Sequence, residues 1–259
     1  FEKLDFILSI DAKYGETTWL ADVVLPNSTY LEKSTPIIQK AGAKPFLTLR
    51  RQVIEPVHDS KPEWWIYKEL AKRLGIGSSF PYDSIEELWN LQLEGTGLSI
   101  HDFEEKGYVP LTEEKTLFDR EALPFGTESG KIELRSSLLD AVQLPSFRTF
   151  ESPPPPEEGR FRLVFGRHAI HTQGQTQNNP HLHEVMPSNA LWIHADEAER
   201  LGVKAGDEVE LISDGGERFR IAVRPTRGIS REAVFLHHGF GRTVPLQRRA
   251  FGRGVADQR

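Results

Sequence analysis

Cysteine is absent from the 259 residues, and methionine occurs once. Without cysteine the chain can hold no disulfide, no cysteine-ligated zinc or iron–sulfur cluster and no thiol nucleophile, and its redox compartment stays open. No apolar run approaches the roughly 18 residues of a membrane span, and Phe1-Glu2-Lys3 does not open a signal peptide. A basic surplus is missing too. Thirty-two Lys and Arg stand against 38 Asp and Glu, a formal charge of −6, which argues against nucleic acid as a partner because phosphate backbones need a concentrated cationic face. The length suits one large or two ordinary domains. A start at Phe, entering directly on a strand-like stretch, is expected of the tail of something longer.

Composition changes near Phe150, where Ser152 precedes Pro153-Pro154-Pro155-Pro156. Four consecutive prolines lack the N–H donors of a helix or sheet, so this stretch reads as a linker between two domains, 1–152 and 153–259. Before it the pattern is mixed α/β. Leu4 to Asp11 and Asp22 to Pro26 read as strands buried on both faces, joined by a short helical piece at Thr17 to Ala21. Strand, crossover and strand in so few residues predict the edge of a doubly wound parallel sheet. Residues 33–60 carry Pro36, Gly42, Pro45 and Pro56 without a sustained period and read as a long irregular excursion. Helices are predicted from Pro62 to Gly75 and, with Ser84 and Glu87 as a capping box, through Leu93. Lys131 to Leu134 reads as a strand after the turn Gly126 to Gly130.

After the linker the chain reads as mainly β. Strands are predicted at 161–165, 190–194, 207–213, 217–224 and 232–238, with hairpin chemistry at Asp214-Gly215-Gly216 and one helix at Asp196 to Gly202. Several strands and one short helix in so compact a stretch predict a closed barrel.

Seven of the nine histidines follow the linker. The run from Gly166 to Glu184 is rich in Gln, Asn, Thr and His, side chains that donate and accept hydrogen bonds without carrying fixed charge. Such a loop suits a neutral, heteroatom-rich ring system; the plain alternative is a solvated amide-rich loop. A zinc site at His171, His181 and His183, which would make the protein a hydrolase, is the sharper rival, but no His-Glu-x-x-His is present. His237-His238-Gly239-Phe240-Gly241-Arg242 follows a strand; its glycines admit close backbone approach and Arg242 offers a charge for an anion. Gly126 to Lys131 is not a P-loop, since three residues rather than four separate its glycines and Ile132 stands where Ser or Thr is required. No Gly-x-Ser-x-Gly elbow occurs, and spacing assigns no glycosidase carboxylate pair. Spacing alone leaves a binding module of unknown ligand.

Four ordered segments carry a resemblance. Ala21-Asp22-Val23-Val24-Leu25-Pro26 through Glu32 resembles a segment of the molybdopterin oxidoreductases, the dimethyl sulfoxide reductase superfamily. Gly126 to Leu134 resembles their Thr-Pro-Ser-Gly-Lys-Ile-Glu stretch, with Glu128 in place of proline. Gly166-Arg167 through Glu184, then Ala205 to Val209 with His238 to Gly241, are similar to the family's dinucleotide-binding domain.

The resemblance implies an α/β Rossmann-like partial domain over 1–152, followed by a six-stranded double-psi β-barrel over 153–259. It implies bis-molybdopterin guanine dinucleotide with molybdenum as cofactor, with an iron–sulfur cluster upstream. The residues matching the pterin-binding role are Gly166, Arg167, His171, Thr172, Gln173, Asn179, Gly239 and Phe240. No catalytic residue and no metal ligand is assigned to this chain. Glu55 to Gly75 looks most like the branch that reduces polysulfide, thiosulfate or tetrathionate; formate dehydrogenases and nitrate reductases are the nearby branches, and a cofactor-free interaction module is the alternative from another class. Implied partners are the upstream half of the catalytic subunit, an iron–sulfur electron-transfer subunit and a membrane anchor, in the periplasm. On this reading the chain is inactive alone, because the family's cluster cysteines and molybdenum ligand lie upstream.

Overall fold

The computed structural model describes residues 1, 3–113, 125–147 and 149–257. Two units cluster separately: Phe1–Ser9, Lys13–Val24 and Ser152–Arg259 form one, Ile10–Ala12 with Leu25–Glu151 the other. The division at Ser152 coincides with the proline run. The first 24 residues are shared between the units, and most of them group with the C-terminal part.

At the start of the chain, β1 (Leu8–Asp11), α1 (Glu16–Trp19) and β2 (Val23–Pro26) follow the predicted order, and β1 hydrogen-bonds β2. The expectation of strands buried on both faces fails. Neither strand contains a buried residue, and Phe6 and Val23 are exposed. Among the described residues no further strand pairs with β1 or β2, so the apolar run that the sequence supplies stays uncovered on the edges of a two-stranded sheet.

The second unit holds β3 (Thr35–Lys40), β4 (Phe46–Arg50), α2 (Glu63–Arg73), α3 (Ile85–Leu93), β5 (Tyr108–Pro110) and α4 (Ser137–Ala141). Its antiparallel sheet runs β3-β4-β5, so part of the predicted irregular excursion is a hairpin. Pro36 is tolerated because β3 is an edge strand and its register shifts between Thr35 and Ile38. The core is Ile37, Leu49, Ile85, Trp89, Leu93 and Phe103. From α3, Trp89 Nε1 donates to the Thr35 carbonyl at 2.8 Å, and the Gln92 amide accepts from Ile37 N and donates to Ile37 O. This side chain satisfies backbone groups that the edge strand would otherwise leave unpaired. Ser84 caps α3 by accepting from Glu87 N, while Glu87 reaches one residue further back, to Asp83 N. The strand expected at Lys131–Leu134 is not formed. Thr127 Oγ1 donates to the Lys131 carbonyl and Ser129 bonds Glu133, local contacts that close a turn in place of a ladder.

In the C-terminal unit lie β6 (Arg162–Gly166), α5 (Pro180–Val185), β7 (Leu191–His194), α6 (Ala195–Arg200), β8 (Glu208–Ile212), β9 (Arg218–Thr226) and β10 (Ala233–His237). The strands pair in the order β6-β10-β7-β9-β8, with β6–β10 and β7–β9 parallel and the other two pairs antiparallel. All five predicted strands and the predicted helix are present. Gly216, at φ +84°, turns the β8–β9 hairpin. Leu191, Ile193, Ile221, Val223, Val234 and Leu236 form the core with Ala198 and Val255, and Ala198 seats α6 against it. Among the described residues β6 and β8 end the ladder unpaired with each other.

Candidate functional site

Because β6 and β10 are parallel neighbours, they finish at the same edge of the sheet. Gly166 is opposite His237, and His238 N donates to Gly166 O at 2.8 Å. The loops that follow, 167–179 and 238–242, therefore emerge side by side. Their contact point is glycine. A Cβ on Gly239 (φ +100°) would come within 2.4 Å of the Gln173 carbonyl carbon and 2.6 Å of Gly174 N. Gln173 itself has φ +48°, a left-handed conformation uncommon outside glycine. Gly166 is constrained on its sheet face, where a Cβ would meet the Phe235 ring at 3.0 Å.

Imidazole and amide groups organise the first loop. His171 is buried; its Nε2 donates to the Met186 carbonyl at 2.9 Å, which leaves Nδ1 to accept from the Thr176 hydroxyl at 3.3 Å. Phe240, also buried, meets the His171 ring edge-on at 5.6 Å and so links the two loops. Gln177, 1% exposed, donates from Nε2 to the Gln173 carbonyl. Asn179 caps α5 by accepting from His181 N and Leu182 N.

Of the predicted residues, Gly166, His171, Gln173, Gly239 and Phe240 come together. Arg167 and Thr172 lie exposed along the same loop, and Asn179 ends it. Both His171 nitrogens have protein partners, and among the described residues no three His, Asp or Glu side chains are grouped to hold a metal ion.

Arg242 does meet an anion, but one within the chain. Its Nη1 donates to Glu16 Oε2 at 2.6 Å and its Nε to Gly239 O at 3.0 Å, while Thr243 N donates to Glu16 Oε1. Burial raises the Glu16 pKa, but backbone hydrogen bonding and the Arg242 charge outweigh it and hold the carboxyl below its ordinary range. Asn189, 3% exposed, donates to the carbonyls of His237 and Val255 and accepts from Val255 N, tying the end of β10 to the C-terminal segment. Neither Glu16 nor Asn189 belongs to a local pattern, and sequence reading had no signal for them.

On the sheet face away from the core, His237 sits 5.1 Å from the Trp192 ring and 4.7 Å from His168, and the Arg224 guanidinium lies 4.7 Å over Trp192. His237 Nδ1 and Trp192 Nε1 are buried without partners, as are His183 Nδ1 and Gln247 Oε1. Burial pushes the His237 imidazole below its ordinary pKa, reinforced by His168 and Arg224. Unpaired but uncharged polar atoms, with amide- and hydroxyl-bearing loops beside them, fit a flat organic group bearing several donors and acceptors.

The geometry is that of a β-domain whose strand-exit edge carries two interlocked loops. The family models give that domain its class. The Molydopterin dinucleotide binding domain matches residues 161–255, and the molybdopterin oxidoreductase model matches residues 1–73. The chain belongs to the molybdopterin oxidoreductases. It is 32% identical to the thiosulfate reductase molybdopterin-containing subunit PhsA of Salmonella typhimurium, over 98% of this chain and 36% of that subunit. A nitrate reductase of Symbiobacterium thermophilum is 31% identical over 89% of this chain and 33% of its own length. The fold is shared with acetylene hydratase from Pelobacter acetylenicus, at a TM-score of 0.76 and 24% identity, covering 91% of this chain and 33% of that one. The chain thus spans about a third of the length of these relatives.

Proposed function

We propose that the loops 166–179 and 237–242 hold a molybdopterin dinucleotide, and that this chain is the cofactor-binding C-terminal portion of an oxidoreductase that reduces an inorganic sulfur compound: polysulfide, thiosulfate or tetrathionate. The observation that carries the reading is the glycine contact of Gly239 with Gln173–Gly174, which sets two polar loops side by side at the exit of β6 and β10. When bound, the group supplies two-electron chemistry at molybdenum. Residues of this chain bind and orient. Thr172, Gln173 and Arg167 offer the loop's hydrogen bonds to the ligand, and His171 with Phe240 keeps the loops in register. Asn179 anchors the loop to α5.

The sulfur-compound assignment is supported by the similarity to PhsA along nearly the whole chain. The same reading carries a six-stranded double-psi barrel over 153–259, a Rossmann-like partial domain over 1–152, a periplasmic location, and an upstream half with iron–sulfur and membrane-anchor partners. Anoxic purification of the complete subunit, with molybdenum analysis and pterin fluorescence, tests the cofactor. Turnover with thiosulfate, tetrathionate and polysulfide against nitrate and formate tests the branch. Stoichiometric molybdenum with sulfur-compound reduction is the expected result. A zinc-loaded or cofactor-free protein contradicts the first part, and nitrate or formate turnover alone contradicts the second.

A further inference from the structure

Arg242 touches both loops where they meet. Its guanidinium occupies the space that a side chain on residue 174 would need: Nη2 lies 1.1 Å from the position of a Cβ built on Gly174. Nε holds the Gly239 carbonyl and Nη1 the Glu16 carboxylate, while the other Glu16 oxygen accepts from Thr243 N. The residues just before Glu16 reach the first loop and the segment that follows the second. Lys13 Nζ donates to the Gln175 carbonyl, and Gln247 Nε2 donates to the Tyr14 carbonyl at 2.5 Å. Residues 13–16 thus form a clasp across the two loops, closed by an ion pair between positions 226 apart in sequence.

We infer that Glu16 is a positioning residue for the dinucleotide: acting through Arg242, it locks the Gly239 turn onto Gln173–Gly174 and fixes the spacing of the loops that grip the ligand. This rests on the functional reading above. An ordinary surface ion pair would contribute little. Here the Arg242 side chain is only 23% exposed, its planar fork serves two acceptors at once, and its face is pinned by a glycine backbone. Lysine carries its donors on one nitrogen and so lacks the fixed spacing of the Nε and Nη1 donors that Gly239 and Glu16 receive.

The test compares wild type, E16Q, R242K and the charge exchange E16R/R242E in the complete subunit. Amide hydrogen exchange in 173–177 and 239–243 is read against the core strands β7 and β9, alongside dinucleotide loss during gel filtration. E16Q and R242K are expected to raise loop exchange and speed dinucleotide loss by about tenfold, the scale of one charge-assisted hydrogen bond, with core exchange unchanged. The charge exchange is expected to restore part of both. Wild-type loop exchange in E16Q, or faster exchange with unchanged dinucleotide retention, overturns the positioning role. A wild type that holds no dinucleotide while E16Q still loosens the loops overturns the functional reading, and the positioning role with it, but leaves the clasp standing.

Discussion

Gly239 and Gly174 meet backbone to backbone, so closely that a methyl group on Gly239 would sit 2.6 Å from the Gly174 nitrogen. The loop after β10 is thereby keyed into the loop after β6.

Gly239→Ala is expected to break the key. The φ of +100° alone costs an L-residue about 1–2 kcal/mol, and backbone overlap at 2.4 Å forces the loops apart as well. Urea denaturation should show at least that loss, and the purified variant should carry less molybdenum than wild type. Full molybdenum content in a folded G239A would mean that the contact does not serve the ligand.

Asn189→Ala should destabilise without touching the loop faces. It strands two buried carbonyls and one buried N–H, and each unsatisfied group costs about 1–3 kcal/mol. A loss of about 3 kcal/mol or more, read as a lower denaturant midpoint, is expected; an unchanged midpoint would show that water replaces the amide.

His237 predicts an acid-sensitive window. Its folded pKa lies below the ordinary 6.5 through burial, His168 and Arg224, so the unfolded chain binds the proton more readily. The stabilisation of the neutral ring is complete above pH 6.5 and falls as the pH drops below it. Denaturation between mildly alkaline and mildly acidic pH should show this slope in wild type and a flatter one in His237→Gln.

Glu32 acts at lower pH. Its carboxylate accepts from Val57 N at 2.8 Å and from Thr29 N and Oγ1 at 2.7 Å each, bonds that hold its pKa below 4.5. The contribution is present above pH 4.5 and lost as the pH falls through the lower folded value. Glu32→Gln should lessen the acid dependence of the second unit's unfolding; an identical acid limb in both proteins would contradict the assignment.

Strand runs bounded by turn residues made β6 to β10 legible in the sequence, because β-branched and aromatic residues between glycines leave few alternatives. The β3–β4 hairpin was hidden by Pro36, which reads as a breaker until its edge position and register shift are known. Lys131–Leu134 misled in the opposite direction: it reads as a strand, but among the described residues no strand pairs with it and Ile132 and Leu134 stay exposed. At the loop contact, Gly166, His171 and Gly239 were pointed to by the family resemblance of the segments that carry them. Glu16 and Asn189 were not, since their partners lie far along the chain, at Arg242 and Val255, and spacing carries no trace of such contacts.

The central claim is that the two loops close on a flat organic cofactor. Hydrogen exchange on the complete subunit, with and without bound molybdopterin dinucleotide, tests it most directly. Slowed exchange confined to 171–179 and 237–242 when the cofactor is present is the predicted result; protection elsewhere in the chain, with these amides exchanging equally in both forms, would contradict it.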